Sequence, residues 1–390
     1  MNTSDLKAEI VNSIAKKGKI TFADYMNLAL YHPKYGYYTS EKEKIGKRGD
    51  YYTSSDVHPV FGELIARQLE QMWTILGKGK FTIVEMGAGK GWLCYDIISF
   101  IKDKFPEFFE KIDYKIVEIS KDLAVKQSGI LQGFEDRISW ESFSSDGFSF
   151  KPINGCFLSN EFVDSLPVHQ VTVRNGCLQE IYVTTRDSEF REITDELSDP
   201  VLKDYFEELS INLKEGQRGE VNLKALNWIK NTSHYLKKGF IITIDYGYLA
   251  KDLYSEDRYK GTLMCYYKHT TSENPFVRVG NQDITSHVNF NSLMQAGSEA
   301  GLKTTGFTKQ SHFLIALGIL DKMKESYGDI GSILKMKTLL LPGGMGDIFK
   351  ILIQHKGINN PKLIGLRNIS EPEFVREIEG LEKKDDSFPL

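Results

Sequence analysis

Three glycines at alternate positions, Gly87, Gly89 and Gly91, interrupt the stretch Phe81-Thr-Ile-Val-Glu85-Met-Gly87-Ala88-Gly89-Lys-Gly91-Trp92-Leu93. An apolar run enters them and a helical pattern leaves, so the segment reads as strand, tight turn and helix. Glycine opens backbone angles closed to other residues and lets a ligand reach the main chain, while the helix N-terminus offers unpaired N–H donors. A small polar ligand fits such a turn. A dinucleotide fingerprint would place its third glycine at the sixth position, which here is Trp92, and that bulk opposes close packing over a dinucleotide. Further along, Glu161 and Asp164 are three residues apart after an apolar run, so a single turn can aim both carboxylates inward; acids favouring a helix dipole are the alternative. Asp245 also ends an apolar run. Asp283 and His287 are four apart, which suits either a structural pair or a histidine that accepts a proton. The four cysteines lie far apart and the eight histidines form no HxH or HExxH, so neither a disulfide framework nor a metal site is expected.

The elements that must position these groups follow from periodicity. Residues 3–30 read as helix around a break at Gly18, with Thr21 before Asp24 as a capping signal, and 61–76 as a second helical stretch. Between them, 31–55 is dense in Tyr, Gly and charge and reads as ordered loop. Strand 81–86, helix 92–104, strand 114–118, a short segment at 138–140 and strand 156–159 then alternate, which argues for a doubly wound α/β sheet. Runs 168–174 and 177–184 flank Asn175-Gly176, a strong hairpin signal, and mark an insertion. A polar helical stretch to about 210, helix 221–237, strand 240–245 and a loop-rich segment 246–287 come next. Helix 290–300, a strand near 302–305, helical 313–336 and strand 348–355 close the pattern. The resulting division is an N-terminal helical and Tyr/Gly-rich lid region at 1–76, a core at 77–356 with insertions around 165–220 and 246–290, and a charged tail at 357–390.

Composition narrows the classes. The chain has 390 residues, 41% hydrophobic and 26% charged, with a formal net charge of −4, so nothing favours a nucleic-acid backbone as partner. The apolar stretches are too short to cross a bilayer, and the N-terminal segment, which carries Asp5 and Glu9, lacks the apolar core of a signal peptide and the acid-poor character of a transit peptide. The expectation is a cytoplasmic protein without membrane or nucleic-acid partners.

The spacing acid-x-Gly-x-Gly-x-Gly, with Glu85 two residues before the first glycine, resembles the first motif of class I S-adenosylmethionine (SAM) methyltransferases. That resemblance implies that Gly87, Ala88, Gly89 and Gly91 curve around the amino-acid end of the cofactor, with Glu85 attracting its ammonium or organising the loop. Glu118, ending the next strand, has the two acceptor oxygens needed for both ribose hydroxyls. Trp140 is placed to stack on adenine or to pack in the core.

Other strings are more specific. Tyr31-His32-Pro33-x-Tyr35-Gly36-Tyr37-Tyr38, Gly49-Asp50-Tyr51-Tyr52-Thr53-Ser54, Asn160-Glu161-Phe162-x-Asp164-x-Leu166-Pro167-Val168-His169, Ile244-Asp245-Tyr246-Gly247, Gly261-Thr262-Leu263, His269 and Asp283-Ile284-Thr285-x-His287-Val288-x-Phe290 occur in this order. With the glycine loop they resemble the MidA family, SAM-dependent methyltransferases whose mitochondrial members are complex I assembly factors and protein arginine methyltransferases. The resemblance covers residues 20–355. Two departures are visible: Asn289 stands where an acid is expected, and the segment that targets the mitochondrial members is missing, which fits a bacterial-type cytoplasmic homologue.

The fold implied is a class I methyltransferase Rossmann-like sheet with an N-terminal helical and loop extension and inserted hairpin and loop-rich segments. The cofactor implied is S-adenosyl-L-methionine, held also by Asn160, Tyr52 and Thr53, with Tyr37, Asp50, Tyr52 and Thr53 folding over it as a lid. No metal is needed. For an arginine acceptor, carboxylates that bond two guanidinium nitrogens localise charge and leave the third richer in electrons. Glu161 is then the clamp, Asp164 its second partner and His287 a proton acceptor. The partner is a protein carrying the acceptor arginine, and the oligomeric state stays open, a homodimer included. Competing readings are a small-molecule or other side-chain acceptor, since fold does not fix substrate, and a noncatalytic assembly factor on the same scaffold.

Overall fold

The computed structural model describes residues 3–40, 50, 54–144, 147–341 and 344–368. Its centre is one sheet whose seven main strands are β1 (Phe81–Met86), β2 (Ile112–Val117), β3 (Ile138–Glu141), β4 (Ile153–Asn160), β5 (Leu236–Tyr248), β6 (Lys303–Lys309) and β7 (Phe349–Lys356). They lie in the order β6-β7-β5-β4-β1-β2-β3. β7 runs antiparallel to both its neighbours and every other pairing along that path is parallel. Strand order reverses between β1 and β4, and crevices beyond the carboxyl ends of strands at such a point are where open α/β sheets bind ligands.

The strands read as short apolar runs because both faces are covered. On one face Ile83, Tyr114, Cys156, Leu158 and Ile242 pack under the helices Val60–Ile75 and Trp92–Lys104 and the C-terminal helices. On the other, Val84, Val117, Phe157 and Ile241 pack under Leu223–Tyr235 and Phe290–Glu299. Val60–Ile75 is thus a layer of the central unit, whereas Thr3–Lys17 and Phe22–Tyr31 join a separate core with Val168, Val183, Phe190, Cys265 and Ile284 from the two insertions.

The first insertion is the expected hairpin, His169–Arg174 with Cys177–Arg186, turning through Asn175 and Gly176 at φ of 53° and 72°. The polar stretch after it is not simply helical. Glu189–Asp195 adds a strand along Cys177–Arg186, burying Phe190, and only Val201–Glu208 is helix. The expected helix 313–336 is three helices, Gln310–Ala316, Ile319–Glu325 and Ile330–Thr338, interrupted at Gly318 and Gly328, whose φ values of 97° and 101° no helix interior accepts. Past 357 the chain folds back: Leu363 is buried and Gly365 donates its N–H to Gln68 Oε1 at 3.0 Å. Among the described residues no helix is long and apolar enough to cross a membrane.

Register at the sheet's base is locked by close backbone approach. Gly155 on β4 has a φ of 153°, and a Cβ there would sit 1.9 Å from the Thr82 carbonyl oxygen of β1. Gly155→Ala is expected to lower stability by about 3 kcal/mol or more, since neither backbone can yield without breaking the ladder. Gly129→Ala is the control: it lies in the helix Lys121–Ile130 with nothing within 4 Å of its Cβ position, and should raise stability by about 0.5 kcal/mol. Denaturant midpoints of the two variants check both signs.

Candidate active site

The glycine turn leaves β1 at the point of strand-order reversal. Gly87, Gly89 and Gly91 have φ of 64°, 56° and 88°, and Gly91 caps the helix Trp92–Lys104. Gly87 is exposed, with Ala88 and Gly89 half-exposed, so the turn faces outward. A Cβ on Gly87 would stand 3.1 Å from the Phe162 ring, and one on Gly91 3.2 Å from Gln127 Cγ. Glu85 is not at the turn's open side. It is buried, accepts a hydrogen bond from the Tyr114 hydroxyl at 2.7 Å, and is pushed up to about 7 by burial.

Glu118, half-buried just past β2, accepts from Ser120 N–H at 2.8 Å and from Gln127 Nε2 at 3.0 Å. Trp140 lies within β3, half-buried, and donates its indole N–H to Gln127 Oε1 at 2.8 Å. Tyr52 and Thr53 lie outside the described residues. The neighbouring Asp50 is described: its carboxylate accepts from Tyr37 Oη at 2.7 Å and from Lys268 N–H at 2.7 Å, joining the N-terminal extension to the loop-rich insertion.

At the end of β4 the chain enters a tight turn. Glu161 takes a φ of 52°, a left-handed conformation that a residue with a Cβ holds only when its surroundings enforce it. The enforcement is visible: Glu161 N–H bonds the Ile244 carbonyl at 2.9 Å, and Asp245 Oδ2 accepts from the N–H groups of Phe162, Val163 and Asp164 at 3.2, 2.9 and 3.2 Å. Glu161 Oε1 accepts from Ser54 N–H at 2.9 Å and from Asn160 Nδ2 at 3.3 Å. Asn160 therefore orients the acid, and its Oδ1 is a buried acceptor with no partner among the described residues. Asp164 accepts a hydrogen bond from the Tyr246 hydroxyl on one oxygen, while the other is buried and has no partner among the described residues. Asp283, from the loop-rich insertion, accepts from Tyr38 Oη at 2.7 Å.

These acids share a desolvated space. Burial pushes Glu161 up to about 8, with Asp164 and Asp56 adding repulsion against the Ser54 and Asn160 bonds. Burial and Asp164 push Asp283 up to about 7, and burial also raises Asp164. Asp245 is raised by burial and by Asp164 and Glu161, yet its four N–H donors, counting Tyr246 N–H, favour the anion. Among the described residues no Lys or Arg forms an ion pair with Glu161, Asp164, Asp245 or Asp283.

His287 is set apart from them. Its ring lies edge-on to Tyr246 with centroids 5.3 Å apart, whereas the hydroxyl of the same tyrosine faces Asp164. Burial, Arg258 and Lys350 push it down to about 4, so it is neutral at pH 7, and its Nδ1 has no partner among the described residues. The pair expected with Asp283 does not form, because Asp283 bonds Tyr38 and the Ile284 N–H instead. Asn289, in place of an acid, caps the helix Phe290–Glu299 through Oδ1 and donates Nδ2 to the Tyr205 hydroxyl at 2.7 Å, a bond an aspartate could not donate. Gln127 and Tyr246 are the participants the sequence did not assign; Tyr246 adjoins Asp245 in a quoted motif, but nothing in local pattern singles out Gln127.

Known proteins resemble the chain over most of its length. A family described as S-adenosyl-L-methionine-dependent methyltransferases matches residues 64–308. Two relatives named protein arginine methyltransferase NDUFAF7 homolog, mitochondrial, are 24% identical over 90% of this chain and 84% of the Drosophila melanogaster protein, and 26% identical over 83% of this chain and 78% of the Caenorhabditis elegans protein. The crystal structure of a candidate methyl transferase from Burkholderia thailandensis, bound to S-adenosyl-homocysteine, superposes with a TM-score of 0.85 at 28% identity, covering 94% of this chain and 95% of that one. The cytoplasmic expectation is corrected by these relatives, which are named mitochondrial. Turn, crevice and matched span agree: the chain belongs to the family of S-adenosyl-L-methionine-dependent methyltransferases.

Proposed function

We propose that the methyl acceptor is an arginine side chain of a partner protein, held by Glu161 and Asp164. The observation that carries this reading is the group of buried carboxylates at the carboxyl edge of β4, donated to by phenols and amides and paired with no cation among the described residues. The relatives named as protein arginine methyltransferases support the same acceptor. For the cofactor, Gly87–Gly91 would hold the amino-acid end, Glu118 the ribose hydroxyls, Trp140 the adenine and Asn160 Oδ1 a polar group at the turn.

Bound S-adenosyl-L-methionine supplies an electrophilic methyl group for in-line displacement. The chain's part is to bind, orient and deprotonate. Glu161, fixed by Ser54 and Asn160, would bond one guanidinium nitrogen, and Asp164, fixed by Tyr246, a second. Charge drawn toward those two nitrogens leaves the third a better nucleophile. With guanidinium alongside, Glu161 loses the proton that burial favours and so stands ready as acceptor of the proton the product must shed. Tyr38, Tyr246 and the insertion that carries Asp283 keep water out, which strengthens each of these contacts. His287 serves by packing against Tyr246.

Calorimetric titration with S-adenosyl-homocysteine should show binding in the native protein and none in folded Gly87→Val, whose side chain would meet Phe162; unchanged binding in the variant sinks the cofactor placement. Glu161→Gln should bind S-adenosyl-homocysteine normally and transfer labelled methyl to protein arginine about 100-fold more slowly or worse, the scale of a lost acid–base group. Label on lysine or on a metabolite would overturn the arginine reading.

The raised acids give a pH signature. Glu161 moves from its ordinary 4.5 to about 8 on folding, so stability present below pH 4.5 is lost progressively as pH rises to 8, and Asp283 adds loss of the same sign. Glu161→Gln lacks this titration. Its melting temperature should match that of the native protein near pH 5 and exceed it at pH 9; equal melting at both would show that Glu161 is not held in a desolvated site.

A further inference from the structure

The helix Lys121–Ile130 has a single wholly buried side chain, and it is polar: Gln127. Its amide is fully used. Nε2 donates to the Gly89 carbonyl at 2.9 Å and to Glu118 Oε2 at 3.0 Å, and Oε1 accepts the Trp140 indole N–H at 2.8 Å. Those partners come from the glycine turn, from the end of β2 and from β3. Gly91 completes the fit, since a side chain there would press on Gln127 Cγ.

We propose that Gln127 is the positioning residue of the adenosine half of the cofactor site, one amide fixing at once the turn, the ribose acid and the adenine-side indole. The proposal rests on the assignment of Glu118 and Trp140 to the cofactor made above. The chemistry selects the residue type. Two donors are needed, for a carbonyl and a carboxylate, and one acceptor, for an indole N–H; of the side chains long enough to reach, a glutamate has no donor and a lysine no acceptor. A glutamate would also set a second carboxylate against Glu118. Because the three arms are tied to each other through protein bonds alone, the pocket is ordered before ligand arrives, and that ordering need not be supplied by binding energy.

The test uses the full chain and S-adenosyl-homocysteine as probe. Gln127→Met, of similar volume, removes all three bonds, and should weaken binding about 10-fold to 100-fold, the range for hydrogen bonds that involve a charged partner. Gln127→Glu keeps the length and the acceptor for Trp140, and should lose at least as much; it carries the test if the methionine variant does not fold. Trp140→Phe deletes the indole N–H. Combined with Gln127→Met it should lose less than the product of the two single losses, because the variants share one bond. Ligand-induced change in tryptophan emission should be present in the native protein and lost in Gln127→Met. Folded Gln127→Met that binds within 2-fold of native, or losses that simply multiply, would overturn the proposal. Glu118→Gln separates the two levels: if it and Trp140→Phe weaken binding while Gln127→Met does not, Gln127 alone is misassigned, and if neither weakens binding the cofactor placement itself falls.

Discussion

One carboxylate holds the candidate site together. Asp245, wholly buried at the end of β5, gathers the N–H groups of Phe162, Val163, Asp164 and Tyr246 on its two oxygens. A turn leaving the end of a strand exposes successive N–H donors with nothing intrinsic to accept them, and buried donors left unpaired are costly. Asp245 satisfies three such donors at once and so fixes how far past β4 the turn can wander. Glu161 then has no choice of conformation: its own N–H is held by the Ile244 carbonyl, its φ is driven to 52°, and its carboxylate is delivered to Ser54. The neighbouring β4 and β5, parallel and in register from Gly155 with Gly239 to Asn160 with Ile244, set the two acids side by side. Remove that anchor and neither Glu161 nor Asp164 keeps its place.

The two sides of the crevice are fixed by different devices. Beside the glycine turn an amide, Gln127, ties turn, acid and indole; beyond β4 a carboxyl group, Asp245, ties the turn that bears the acids. The difference follows from what each side must face. Gly89 offers a carbonyl and Glu118 a carboxylate, which call for donors, whereas the turn after β4 offers only N–H groups, which call for an acceptor. The roof comes from outside the central sheet: Tyr38 from the N-terminal extension reaches Asp283, Tyr31 bonds Ser165, and these elements share one apolar core with both insertions. The insertions that interrupt the sheet in sequence are therefore the parts that enclose the site in space.

What the sequence discloses tracks how local the physics is. The glycine turn was legible because positive φ selects glycine residue by residue, and Asn175-Gly176 because a hairpin turn has the same demand. Glu161 and Asp164 were found as acids after a strand. Strand Glu189–Asp195 was hidden because six of its seven residues are exposed, and its one buried side chain is Phe190, too little alternation to oppose a polar helix. The helix Lys121–Ile130 was not assigned, and Gln127 with it, since a helix whose one buried residue is polar has no apolar stripe to read. His287 and Asp283, four apart in a segment read as loop-rich, were left as either a structural pair or a histidine that accepts a proton; the chain there forms short strands, Asp283–Thr285 and Val288–Asn289, and Asp283 bonds Tyr38 and the Ile284 N–H. Glu85, expected to attract the ammonium or to organise the loop, lies on the face of β1 where the Tyr114 hydroxyl donates to it.

The choice of donors around the acids explains how such a site stays both stable and receptive. Glu161 is bonded by an amide N–H and a side-chain amide, Asp164 by the Tyr246 hydroxyl, Asp283 by the Tyr38 hydroxyl and an amide. A lysine in any of these places would satisfy its carboxylate more fully, and removing one partner of a buried ion pair is expensive, of order 3–5 kcal/mol. An arriving guanidinium would then have to displace a resident charge. Phenols and amides orient the acids without neutralising them, so the carboxyls compensate by retaining protons, as the upward shifts of Glu161 and Asp283 express. A proton can leave where a lysine cannot. Under the proposed reading, uptake of a guanidinium and release of protons would be one event, and the carboxylate that gives up its proton on binding would be the one able to take another from the methylated nitrogen.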